Sequence, residues 1–105
     1  MLRSVAVLAV VLIAAGPVVA GEHEVGQKNK KFTVEQLDIQ VGDSVQFTNN
    51  DPFFHNVFSL SDVLTFDLGS YPKNEHRTVT FDNPGTVEVE CAIHPNMRMT
   101  IEVKE

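Results

Sequence analysis

Cys91, His94 and Met97 fall within the single segment Cys91-Ala92-Ile93-His94-Pro95-Asn96-Met97. A thiolate, an imidazole and a thioether form a soft to intermediate donor set that suits copper better than magnesium or calcium, and zinc would call for more Cys or His. His55 offers a second imidazole, directly after the turn-forming stretch Asn49-Asn50-Asp51-Pro52 and the pair Phe53-Phe54. Two His and one Cys around an ion, with a weak axial Met, make the ligand set of a type 1 electron-transfer copper site. Such a site moves one electron and makes no bond. A hydrolase built on Cys91 and a His is a poorer reading, because no nucleophile turn precedes Cys91 and Met has no role in that chemistry.

The elements that must position these residues read as short strands. Phe32 to Glu35, Leu37 to Val41 and Ser44 to Thr48 alternate apolar with polar and are separated by Gly42-Asp43, which predicts two or three strands and a turn. Asn56 to Leu60 and Thr78 to Phe81 predict two more. The run Thr86 to Cys91 alternates so that Val87, Val89 and Cys91 share one face, placing Cys91 inward at a strand end. Met99 to Lys104 predicts the last strand. Ser61 to Tyr71 is irregular and is expected to hold one helical turn or a short edge strand around Phe66-Asp67-Leu68. Phe47, Phe58, Phe66 and Phe81 are expected in the core. Seven to eight short strands without a long helix predict an all-β Greek-key β-sandwich.

Residues 1–20 read as a leader rather than as part of that sandwich. Arg3 precedes an apolar run from Val5 to Ala15, Gly16-Pro17 ends it, and Val18-Val19-Ala20 supplies small residues before a cleavage point, the pattern of a secretory signal peptide. Val5 to Ala20 is also shorter than the roughly 20 apolar residues of a spanning helix. The expectation is therefore a cleaved signal over 1–20, a single domain over 21–105, a periplasmic or secreted location, and no membrane insertion after processing. In an oxidising compartment the lone Cys91 has no internal disulfide partner, which again points to a metal thiolate.

Taken together, His55-Asn56-Val57 and the later Cys91-x-x-His94-Pro95-x-Met97-Arg98 resemble the cupredoxins, and the short ligand loop is most similar to the amicyanin-like members of the plastocyanin group. The resemblance implies one type 1 copper ion held by His55, Cys91, His94 and Met97, and a hydrogen bond from the Asn56 N–H to the thiolate that tunes the metal. Plastocyanins place the axial Met two residues later, where this sequence has Met99; the Pro95-x-Met97-Arg98 match favours Met97. Ile93 stands where amicyanin and plastocyanin have Pro, and unlike Pro it carries an N–H able to donate to the Cys91 sulfur, as in the azurin loop. The expected consequence is a raised potential. The resemblance also implies that His94 is the exposed ligand and the route for electrons; Phe53, Phe54 and Pro95 read either as packing or, the favoured reading, as an apolar rim around the copper site.

A further expectation concerns Gly21-Glu22-His23. Cleavage after Ala20 exposes an amine, two amides and an imidazole, a square-planar nitrogen set suited to Cu(II), although a frayed tail with an incidental His23 is the simpler account. The whole chain has 105 residues and a formal charge of −6, and 21–105 alone has −7 because Arg3 is lost. An acidic surface argues against nucleic acid. It suggests a monomer that meets redox partner proteins with a basic docking surface. The function so read is an exported electron carrier and not an enzyme, since copper enzymes of this kind need further copper centres from other domains; the alternative is a periplasmic copper chaperone or buffer using the same ligands.

Overall fold

The computed structural model describes residues 20–105, so the expected leader, apart from Ala20, lies outside the described residues. Nine strands fill the described residues: β1 (Glu22–Lys28), β2 (Lys31–Phe32), β3 (Gln36–Gln40), β4 (Ser44–Asn49), β5 (His55–Ser61), β6 (Leu64–Tyr71), β7 (His76–Thr80), β8 (Gly85–Cys91) and β9 (Arg98–Lys104). They form two sheets, one ordered β2-β1-β4-β7 and the other β3-β9-β8-β5-β6. β1 runs parallel to β4, and β3 runs parallel to β9. The result is the expected all-β sandwich, and no helix occurs among the described residues.

Alternation explains most of the core. In β4, Val45, Phe47 and Asn49 point inward, and in β8 Val87, Val89 and Cys91 do the same. Phe32, Phe47, Phe66 and Phe81 form a continuous aromatic line, with successive ring centroids 6.4, 6.3 and 6.3 Å apart, within the range in which tilted and edge-on rings attract. Tyr71 is fully buried; its hydroxyl donates to the Phe47 carbonyl at 3.0 Å and accepts from the Gln27 side chain at 2.9 Å.

Four differences from the sequence reading have physical causes. β1 is a full strand although Val25 is its only strongly apolar residue, because it buries Gly26 and Gln27 beside β4. The segment Phe32 to Glu35 contributes only the two-residue β2. β6 is an edge strand, as one of the two expected alternatives has it, but it runs for eight residues rather than a short stretch, and its pairing with β5 slips between Asn56 and Phe58. A bulge of this kind breaks the period-two pattern that would reveal a strand. Phe58 is not core: β5 buries His55, Val57 and Ser59, which turns Phe58 and Leu60 outward, Leu60 being 71% exposed.

At one end of the sandwich Asp43 ties the start of β1 to the β3–β4 turn. Its carboxylate accepts the Gln40 N–H at 2.9 Å and the Gly21 N–H at 2.7 Å, and lies 2.9 Å from His23 Nε2. The Gln40 N–H, then His23 and the Gly21 N–H, pull its pKa from the ordinary 3.8 down to about 2. Between those two values the unfolded chain binds the proton and the folded chain does not, so stability rises with pH. Asp43 thus stabilises the fold fully above about pH 4 and loses that contribution as pH falls through about 2. Acid titration of the unfolding midpoint should therefore show a shallower loss between those pH values in Asp43→Asn than in the parent protein; parallel curves would mean that the carboxylate is not held ionised by these contacts.

Candidate metal centre

His55 opens β5 and Cys91 closes β8, and the two strands are neighbours in register, with Val57 opposite Cys91. Both side chains point into the sandwich at the same end, His55 fully buried and Cys91 nearly so. His94 reaches the same spot from the loop that follows β8. The Cys91 Sγ lies 3.6 Å from His55 Nδ1 and 3.8 Å from His94 Nδ1, and all three donor atoms lie within 4.8 Å of one another. Metal bonds of about 2.0–2.3 Å to imidazole nitrogen and thiolate let one ion touch all three at these separations. The donor set therefore fits a metal ion, and its chemistry is that of copper.

The loop carrying His94 is closed by its own backbone. The Met97 N–H donates to the His94 carbonyl at 2.9 Å, and the Cys91 N–H donates to the Met97 carbonyl at 3.2 Å. Met97 is thereby fastened to two of the three donors, and its side chain is buried. Met99 is also buried, but it stands two residues on within β9, opposite Val89 in the ladder. The loop, not the sheet, carries Met97.

The Asn56 N–H points at the Cys91 sulfur at 3.4 Å, and the Asn56 carbonyl accepts the Ala92 N–H at 3.0 Å. Ile93 makes no such bond: among the described residues, Asn56 supplies the one backbone N–H bonded to that sulfur, and the Ile93 side chain is 49% exposed. The replacement of Pro by Ile therefore adds apolar surface at this end rather than a second donor to the thiolate. His23 is remote in register from this cluster. It pairs with Val45 at the start of β4, whereas the ligands gather beyond Asn49 at the end of that strand. Its Nε2 faces Asp43, and folding Glu22 and His23 around one ion would open the first rungs of β1 against β4.

Sequence reading took Asp51 for a turn residue, yet it orients the centre. Its buried carboxylate lies 2.7 Å from His55 Nε2 and accepts the N–H groups of Asn29 at 2.7 Å and Lys30 at 3.0 Å. Burial alone would raise its pKa, but the Lys30 N–H, His55 and the Asn29 N–H outweigh it and hold the carboxyl below its ordinary range. An anion at Nε2 fixes that nitrogen as the protonated one and leaves Nδ1 as the lone-pair donor toward the sulfur. Asn49 supports the arrangement: it accepts the Asp51 N–H at 2.8 Å and donates to the carbonyls of Phe53 and Tyr71 at 2.8 and 2.9 Å. The only sequence signal for this role was the four-residue spacing of Asp51 and His55.

His94 is the outermost of the three donors and partly exposed. Desolvation first, then the neighbouring His55 and Lys30, push its pKa below the ordinary 6.5, with Asp51 opposing. A neutral imidazole is the form that binds metal. Phe53 packs its ring 5.4 Å from both His55 and His94, while Phe54 is 53% exposed beside it. Asp51→Asn should therefore lower copper affinity by roughly 10–100-fold in a competition titration, with the cold-state circular dichroism unchanged; an unaltered affinity would show that the carboxylate does not orient His55.

Comparison with known proteins gives consistent results. Residues 19–104 match the model of the copper binding proteins of the plastocyanin/azurin family. The chain is similar to amicyanin of Paracoccus denitrificans, with 31% identity over 94 residues that span 87% of this chain and 72% of that protein. It is also similar to a solved reduced amicyanin mutant, with a TM-score of 0.75, 29% identity, and coverage of 83% of this chain and 86% of that one. A copper-containing nitrite reductase from Thermus scotoductus SA-01 superposes with a TM-score of 0.76 and 27% identity, covering 88% of this chain but only 26% of the enzyme chain.

Proposed function

This chain belongs to the plastocyanin/azurin family of copper-binding proteins, and on that premise we propose that it is an exported carrier of single electrons, with residues 1–20 removed and the domain over 21–105 acting in the periplasm or outside the cell. The observation that carries the reading is the convergence of His55 Nδ1, Cys91 Sγ and His94 Nδ1 within 4.8 Å of one another. His55, Cys91 and His94 would hold the ion, and Met97 would add a weaker thioether donor. Copper, when bound, supplies the one-electron couple.

The chain's own part is to keep the donors where they are in both oxidation states. Cys91 is anchored at a strand end by the Val57 register, and Asn56 directs an N–H at its sulfur, favouring the thiolate. Asp51 holds the His55 ring, and the Cys91–Met97 and His94–Met97 backbone bonds hold the loop. Donors that need not move on electron transfer avoid the cost of reorganisation. Phe53 and Phe54 exclude water on the exposed side, and His94 offers the shortest route to a partner surface.

The enzyme that resembles this chain is more than three times as long by coverage, and among the described residues one His/Cys cluster is present. That supports a carrier over a catalyst. A copper chaperone or buffer would use the same donors, and burial of His55, Cys91 and Met97 speaks against it because rapid exchange needs ligands that open.

Copper(II) added to the protein from Gly21 to Glu105 should give an intense thiolate-to-copper visible band with narrow EPR hyperfine splitting, and Cys91→Ser should abolish both. Met97→Leu should change the EPR parameters while Met99→Leu, a volume-conserving core swap, should leave them alone. The reverse result would move the axial ligand to Met99, and a pale nitrogen–oxygen spectrum would end the carrier reading in favour of the chaperone.

A further inference from the structure

The overall formal charge of −6 suggests attraction to basic partners, but the charges are not spread evenly. β1 and β4 run in parallel toward the metal-binding end, so Glu22 and Asp43 lie at the far end with Asp62 and Asp82, each of which follows a strand that has run away from the ligands. At the near end stands the β1–β2 hairpin, Lys28-Asn29-Lys30-Lys31, with three exposed lysines and no acid between them. Asn29 and Lys30 have φ of 57° and 61°, the left-handed pair of a two-residue turn that fits a twisted hairpin. Their N–H groups are capped by Asp51, the carboxylate that also faces His55.

That fastening fixes where the lysines go. The Lys30 ammonium lies 5.8 Å from the centre of the Phe53 ring, and that ring lies 5.4 Å from His94. A shallow hollow of about 390 Å³ is bounded by Lys28, Lys30, Pro52 and Phe53 and opens beside the rim. Phe54 and Ile93, each about half exposed, adjoin Phe53 and His94 in the chain and add apolar surface at this end. Arg98 is committed to Glu90 at 3.0 Å, and the one carboxylate under the hairpin, Asp51, is buried with its hydrogen bonds filled. The exposed acids Glu35 and Glu75 lie in the loops before β3 and β7, Glu35 sharing a small recess with Lys31.

We infer that the Lys28–Lys31 hairpin and the Phe53, Phe54 and Ile93 rim form one docking surface for a redox protein whose contact face is acidic around an apolar centre, opposite in sign to the partner that the net charge implies. The inference rests on the electron-carrier reading. Fields from a charge cluster act within about a Debye length, ~10 Å at 0.1 M salt, so a partner at His94 meets the lysines before it meets the distant acids. The hairpin then sets the approach, and the rim excludes water at contact.

Two measurements on the copper-loaded protein test this. In the first, hexacyanochromate(III), a redox-inert paramagnetic trianion, is titrated against the reduced protein and amide broadening is mapped by NMR. Broadening centred on 28–31 and 53–54 is expected; none, or broadening centred on Lys104, overturns the inference. In the second, the reduced protein gives one electron to hexacyanoferrate(III), which becomes hexacyanoferrate(II), and the rate is followed against ionic strength. A surface ruled by the lysines predicts a rate that falls as salt is added, and the double variant Lys28→Glu/Lys31→Glu predicts a rate lowered by about tenfold at low salt that rises with salt. A parent rate that rises with salt, as the net charge demands, overturns the inference even while electron transfer itself proceeds. Failure of the reduced protein to transfer an electron to the oxidant at any ionic strength would instead overturn the carrier reading on which it rests.

Discussion

The buried Asp51 carboxylate is the contact on which the metal-binding end depends. It joins three pieces of chain that are distant in sequence or differently shaped: the β1–β2 hairpin through two N–H groups, the start of β5 through His55, and the β4–β5 turn in which it lies. A buried carboxylate without partners would be protonated or would unfold its surroundings. Here three donors keep it ionised, and the same charge selects the tautomer of His55. Hairpin position, ring orientation and local charge are consequences of one group.

The sulfur is treated in the complementary way. Cys91 sits on the last residue of β8, where the ladder to β5 still fixes its Cβ direction but the chain is free to turn away. The loop turns at once, and its carbonyls at His94 and Met97 are satisfied within the loop. Three donors therefore come from two strand ends and one short loop. No long flexible segment separates them, so little conformational entropy opposes their meeting.

This explains which parts were legible beforehand. Cys, His and Met are chemically distinctive, and their spacing in Cys91 to Met97 survives any uncertainty about strands. Strands that alternate, such as β4 and β8, could be read at sight. β1 could not, because it buries Gly26 and Gln27 and draws its order from β4 some twenty residues later. β6 was hidden by its bulge: Leu64, Phe66 and Leu68 keep one parity, and the slip near Gly69 hands the buried position to Tyr71. Asp51 was invisible for a different reason. Its partners are backbone N–H groups of a hairpin, and sequence carries no mark of which carboxylate a distant hairpin will meet.

Phe58 shows how function can override the hydrophobic pattern. A strand reading His-Asn-Val-Phe-Ser-Leu has two possible faces, and the more apolar one contains Phe58 and Leu60. The structure buries the other, with His55, Val57 and Ser59 inside. A shift of one residue would exchange the faces and send His55 into solvent, destroying the metal set. Ser59 is made tolerable inside by donating to the Leu64 carbonyl at 2.8 Å and accepting the Ser61 N–H at 3.1 Å. The register of β5 is thus set by the ladder to Cys91 and by the Asp51–His55 contact, and the exposed Leu60 is the cost of pointing an imidazole at a thiolate.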